Sequence, residues 1–103
     1  MIARTWRGAT RAADAIEYAD YVRQTGVAAY RATPGNRGAY LLYRIAGERA
    51  EFLAVSLWDD LDAIRAFAGD DVTRAVFYPD GDRYLIQADE RADHWEVVEG
   101  DGA

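Results

Sequence analysis

The side chains able to do chemistry in this chain of 103 residues are few, and aromatic and guanidinium groups dominate them. His94 is the only histidine, so it is the one imidazole that can exchange a proton near neutral pH. Arg4 and Arg44 can hold a developing oxyanion through charge-assisted hydrogen bonds. Trp6, Trp58 and Tyr40 can sandwich a flat ring and donate hydrogen bonds from their polar edges. Each has a structural alternative. His94 can cap a strand or sit in an interface, and Arg4 and Arg44 can pair with Glu96 or Glu51. Trp58 suits a core as well as a ligand wall, Asn36 suits a turn as well as a substrate contact, and Tyr18, Tyr21 and Tyr30 can roof a pocket or fill a seam.

Other chemistries are excluded by composition. There is no Cys, hence no disulfide framework, thiolate metal site or thiol nucleophile. All twelve basic residues are Arg, and without Lys neither Schiff-base nor P-loop chemistry is open. No Ser-His-Asp elbow, zinc spacing or Gly-rich nucleotide loop occurs, and Asp80-Gly81-Asp82 lacks the other ligands of a calcium loop. A net charge of −6 without a basic patch argues against nucleic-acid binding. No apolar run approaches the about 18 residues of a membrane span, and no signal-peptide pattern is visible, so a soluble, cytoplasmic protein is expected.

These residues need elements to position them, and the length allows one domain, expected over residues 1–99 with residues 100–103 as a frayed tail. Alternation predicts a first strand over residues 1–7 ending at Gly8. Ala15, Ile16, Ala19 and Val22 recur at helical spacing, with Gly26 as a weak point and Thr33-Pro34-Gly35-Asn36 as a stop. Two β-rich runs, from Gly38 to Ile45 and from Ala50 to Trp58, flank Gly47-Glu48 as a hairpin. Asp59 or Asp60 caps a second helix that ends at Gly69, and a shorter helical piece is expected through Val76, stopped by Pro79. A last strand is expected from His94 to Glu99, with Arg83 to Gln87 undecided. The order of strand, helix, strand, strand, helix, strand is the α+β, ferredoxin-like split βαβ plan, with a four-stranded antiparallel sheet.

Such a sheet, with helices on one side only, should be polar on the other. Here both faces carry apolar side chains. Leu53, Val55 and Leu57 are expected on the helix side, and the opposite face collects Trp6, Tyr40, Leu42, Phe52, Trp58 and Val98 around Arg4, Ser56, His94 and Arg44. An apolar face of this kind marks an interface or a pocket.

The chain resembles the antibiotic biosynthesis monooxygenase family of the dimeric α+β barrel superfamily over residues 1 to about 99. The segments carrying the resemblance are Met1-Ile-Ala-Arg-Thr-Trp6, Thr33-Pro-Gly-Asn-Arg-Gly38, Val55-Ser-Leu-Trp-Asp59, Ala63-Ile-Arg-Ala-Phe-Ala-Gly69, Phe77-Tyr-Pro79 and His94-Trp-Glu-Val97. It implies a homodimer whose sheets face each other, with a pocket in each subunit between sheet and helices. It also implies a pocket Trp at Trp58. Members include cofactor-independent oxygenases of aromatic polyketides and quinols, and haem degraders. The latter carry a proximal His on the second helical segment, where this chain has Val76. The resulting expectation is a cofactor-independent monooxygenase-like enzyme acting on a flat aromatic or polyketide-type small molecule, with His94, Arg4 and Arg44 catalytic. Trp6, Asn36, Tyr40, Phe52, Ser56, Trp58 and Tyr21 would bind the ring. A cofactor-free cyclase, isomerase or dehydratase, or a non-catalytic binding or stress-response dimer, stands as the alternative.

Overall fold

The computed structural model describes residues 1–100; of the tail expected at 100–103, all but Gly100 lies outside the described residues. The chain runs through β1 (Ile2–Arg11), α1 (Ala15–Val22), a π-helical turn (Arg23–Val27) and α2 (Ala28–Ala32). It continues through β2 (Asn36–Ala46), β3 (Arg49–Trp58), α3 (Leu61–Ala68), β4 (Leu85–Ala88) and β5 (Asp93–Glu96). All pairings are antiparallel, in the order β2-β3-β1-β4, with β5 also on β1.

The expected fourth strand is therefore present in two pieces. β4 pairs with Gly8–Thr10 and β5 with Ile2–Thr5, so the sheet has five strands in four lanes. β1 does not stop at Gly8 but runs on to Arg11, because both neighbours continue to pair with it. Gly8 is needed where it stands: a Cβ there would lie 2.5 Å from the Trp6 ring that crosses it. The hairpin turn at Gly47-Glu48 forms as expected, with Gly47 at φ 65°.

Local signals explain the helices. Asp60 caps α3, its Oδ1 accepting from the Ala63 N–H at 2.9 Å, and Gly69 follows the helix at φ 91°. On α1 the inward stripe is Ala15, Tyr18, Ala19 and Val22, which leaves Ile16 exposed rather than in the core. The weak point at Gly26 takes the form of the π-helical turn. The helical piece expected through Val76 is absent. Its backbone is used instead by the sheet edge: Ala75 N–H donates to Glu90 O, Ala92 N–H donates to Thr73 O, and Arg74 bridges to Arg91.

The register assigns the two faces opposite to the sequence expectation. Ile2, Arg4, Trp6, Gly8 and Thr10 of β1 lie opposite Trp58, Ser56, Ala54, Phe52 and Ala50 of β3. It is this set that packs under the helices: Phe52 and Ala50 meet Ala15 and Tyr18, and Trp58 meets Ile64. Leu53, Val55 and Leu57 lie on the open face with Tyr40, Leu42 and Arg44. Alternation alone sorts residues into two sets without saying which set the helices cover. The bulky Phe52 and Trp58 went to the deeper layer.

Candidate functional site

Between the sheet and the helices lies a cavity of about 60 Å³, walled by Arg4, Trp6, Tyr18, Tyr21, Tyr30 and Phe67, and on its outer side by Val76, Phe77 and Tyr78. The strand β1 supplies Arg4 and Trp6 from its helix-side row, and α1 supplies Tyr18 and Tyr21 one turn apart. The π-helical turn brings Thr25 and Gly26 to the wall, and α2 brings Tyr30. The outer wall, Ala75–Tyr78, has no regular secondary structure.

Arg4 dominates the electrostatics. It is 4% exposed and has no carboxylate partner; its Nη1 donates to Val72 O and His94 Nε2 (2.9 Å), and its Nη2 to Arg74 O (2.9 Å). Its Cζ stands 5.9 Å from the Phe67 ring centroid, a cation–π contact. Burial pulls the guanidinium pKa down, partly opposed by Tyr30, yet an arginine keeps its charge at any ordinary pH. A buried cation without an anion is costly, and carbonyl dipoles only partly replace the missing charge.

His94 stands behind Arg4 and is not among the residues lining the cavity. It lies across from Arg4 in the β1–β5 register. A guanidinium only donates, so Nε2 must accept and the neutral ring carries its proton on Nδ1. Burial lowers the His94 pKa, the Arg4 charge lowers it further, and Asp93 opposes both. The geometry makes His94 an acceptor that orients Arg4.

The phenols are held protonated. Burial raises the pKa of Tyr18, Tyr30 and Tyr78; neighbouring phenols add to the rise at Tyr18 and Tyr78, and Arg4 opposes it at Tyr30. The Tyr21 hydroxyl donates to Pro79 O, tying α1 to the outer wall. Trp6 Nε1 donates to Asp89 O at 2.7 Å, and its ring meets Phe77 edge-on at 6.2 Å.

The ten residues singled out in the sequence do not form one group. Arg4, Trp6 and Tyr21 line the cavity, and His94 is bonded to it. Trp58 is fully buried, its Nε1 donating to Ser56 Oγ at 2.8 Å and its ring packed on Tyr30 and Phe67, so both residues belong to the core. Phe52 is likewise core, between Tyr18 and Tyr43. Asn36 opens β2 opposite Trp58, and its Nδ2 donates to Gly38 O and Leu57 O across a bulge. Tyr40 and Arg44 lie on the open face, where exposed Arg44 pairs with half-buried Glu51. Tyr18, Tyr30, Phe67, Val76, Phe77 and Tyr78 also line the cavity; of these the sequence offers Tyr18 and Tyr30 as the roof of a pocket or filler of a seam, and nothing in it marks the other four as site residues.

The open face has its own shallow concavity, about 630 Å³, bordered by Arg7, Leu42, Arg44, Arg49, Leu53 and Trp95. Leu42 is 47% and Trp95 56% exposed there.

No family profile matches this sequence, and no curated protein matches it. Solved structures do. A Bacillus cereus protein assigned as an antibiotic biosynthesis monooxygenase superposes with a TM-score of 0.68 at 14% identity, over 99% of this chain and 97% of that one. The haem degrader MhuD from Mycobacterium tuberculosis, with two haems in its active site, gives 0.61 at 20% identity, over 99% and 100%. A MhuD variant with two manganese protoporphyrin IX molecules per active site gives 0.62 at 21%, over the whole of both chains. At these identities the likeness establishes the fold: the ferredoxin-like α+β fold found in structures of antibiotic biosynthesis monooxygenases and haem degraders, as the resemblance implied. No helix among the described residues is long and apolar enough to cross a membrane.

Proposed function

We propose that this protein is a cofactor-independent monooxygenase-like enzyme acting on a flat aromatic or polyketide-type small molecule in the cavity beneath its helices. The observation that carries the reading is Arg4, a buried guanidinium without a carboxylate partner in the lining of an aromatic-walled cavity. An anthrone-type ring is a sufficient reductant once ionised. The anion passes one electron to dioxygen and the radical pair joins through a carbon–oxygen bond. The hydroperoxide then loses water, so one oxygen stays as a carbonyl and the other leaves as water. Arg4 would stabilise the anion by preorganised charge, and the aromatic walls would exclude water.

The cavity is smaller than the about 150 Å³ of a void that accepts benzene. Ring binding thus requires Phe77 and Tyr78 to move, and the irregular backbone of Ala75–Tyr78 is the wall that can yield. The residues at the cavity do not fit a haem. The lining offers no His, Cys or Met, burial keeps its phenols protonated, and His94 Nε2 already accepts from Arg4.

The working unit in this reading is a cytoplasmic homodimer, each subunit a single domain of residues 1–99, in which a second copy covers the open face. Two observations support the dimer. Leu42 and Trp95 are exposed on the open face beside half-buried Leu53, Val55 and Leu57, apolar side chains that an interface would cover. Among the described residues, the one side-chain N or O atom that is both fully closed off from solvent and without a partner is Arg49 Nε, on that same face.

Purified protein incubated with an anthrone-type substrate in oxygenated buffer should yield the quinone with one dioxygen consumed per turnover. Turnover that persists under argon would replace oxygenation with an isomerase or cyclase. Binding without product would make the protein a carrier.

A further inference from the structure

Every polar side chain lining the cavity is a donor at neutral pH, and none is a base. The lining contains Arg4, Tyr18, Tyr21, Thr25, Tyr30 and Tyr78, and no Asp, Glu, His or Lys. Arg4 can only donate. Tyr21 gives its hydroxyl proton to Pro79 O, and Thr25 gives its own to Tyr21 O. Among the described residues, the hydroxyls of Tyr18, Tyr30 and Tyr78 make no hydrogen bond, which leaves three uncommitted phenolic donors in the same lining as the guanidinium.

His94, Asp93, Asp80 and Asp82, the groups that act on Arg4, His94 and Tyr21, all lie outside the lining. His94 is the one imidazole, and its Nε2 is committed to Arg4. Asp93 stands opposite Thr5, on the open-face row of β1, and is exposed. Asp80 and Asp82, the acids that act on Tyr21, are exposed and outside the lining. A cavity built this way stabilises an oxyanion that comes to it and has nothing with which to create one.

We propose that the cavity selects planar aromatic molecules that arrive already ionised, carrying an acidic enol, phenol or carboxylic acid that dissociates in bulk water. The proposal rests on the oxygenase reading only for turnover; its binding half stands on the cavity lining alone. The anionic oxygen lies against Arg4, with Tyr30 and Tyr78 as further donors. Proton removal is then a property of the substrate rather than a step carried out by a side chain, and His94 is a positioning residue for Arg4.

Binding is measured by Trp fluorescence and calorimetry at pH 7 with three probes of one size. These are a hydroxynaphthoquinone that is ionised at that pH, its neutral methyl ether, and cationic naphthylmethylamine. Hydrogen bonds to charged groups make the anion the tightest ligand, by about ten- to a hundredfold over the ether. The amine should bind weakest. Equal affinity for anion and ether, or preference for the amine, overturns the proposal, and this comparison needs only the unmodified protein. Arg4→Met should bring the anion and the ether to within about threefold. If that variant does not fold, Tyr30→Phe should cut anion affinity several-fold and leave the ether unchanged; a Tyr30→Phe effect equal on both ligands counts against the proposal.

Turnover separates this inference from the oxygenase reading. With two anthrone-type substrates of different acidity, the rising limb of kcat/KM against pH should shift with the acidity of the substrate. It should stay in place in His94→Gln. A limb that keeps one position for both substrates and is removed by His94→Gln would assign the proton to His94 and overturn the inference while leaving oxygenation intact. Anion-selective binding without oxygen consumption would uphold the inference and sink the oxygenase.

Discussion

Replacing Ser56 by alanine separates a core role for Trp58 from a ligand-wall role. In the structure Ser56 Oγ is the acceptor for Trp58 Nε1 at 2.8 Å, both residues are buried, and neither lines the cavity. Ser56→Ala removes the acceptor and leaves the indole N–H without a partner in a dry environment. An unpaired buried donor costs about 1–3 kcal/mol. At about 4–8 °C per kcal/mol for a domain of this size, a central value of about 2 kcal/mol lowers Tm by about 8–16 °C. The assay is thermal unfolding at one fixed protein concentration, because dimerisation would couple stability to concentration, together with affinity for the anionic naphthoquinone. The expected result is a large fall in Tm with affinity per folded molecule unchanged. An unchanged Tm with lost affinity would refute the core assignment and put Trp58 in the ligand wall.

Three further outcomes are expected. Val55→Asp on the open face, opposite both Thr5 and Tyr40, should turn a dimer into a monomer by sedimentation; a wild-type chain that is already monomeric at micromolar concentration would contradict the proposed assembly. His94 has a folded pKa below its ordinary 6.5, so below that pH the unfolded chain takes up a proton that the fold resists. Stability should therefore fall as pH drops below about 6.5, and His94→Gln should flatten the part of that slope that lies above the range where Glu51 and Asp71 lose their arginine pairings, read in urea titrations. Asp60→Ala removes the cap of α3 and should cost about 1 kcal/mol by urea unfolding without altering ligand affinity.

Much of the fold was legible because its signals are local. The Gly47 turn, the Asp60 cap, the Gly69 terminus and the alternation of β3 each depend on a few neighbouring residues. The faces were not legible: Phe52 and Trp58 alternate correctly with Leu53 and Leu57, and only the packing of α1 and α3 decides which set is covered. The same inversion explains the candidate site. Arg4, Trp6 and His94 share a face with each other as expected, but Tyr40 and Arg44 start from the opposite parity on β2 and fall on the other side. Val76 ends the helical piece that the sequence predicts and Phe77-Tyr78-Pro79 its stop, yet Val76, Phe77 and Tyr78 are cavity wall, directly after Thr73–Ala75, whose backbone pairs with the sheet edge through Glu90 and Ala92. No periodicity marks such a segment. The division of charge along the chain, with acids concentrated after Trp58, has no counterpart in the site.

We place the working site in the cavity under the helices, organised by Arg4, rather than in the concavity of the open face. A crystal structure of the protein with the anionic hydroxynaphthoquinone bound tests it most directly. The ring should lie between Trp6, Tyr30 and Phe67 with an oxygen on the Arg4 guanidinium, and Phe77 and Tyr78 displaced outward. A ring seated instead among Leu42, Leu53 and Trp95, with Arg4 untouched, would contradict the account.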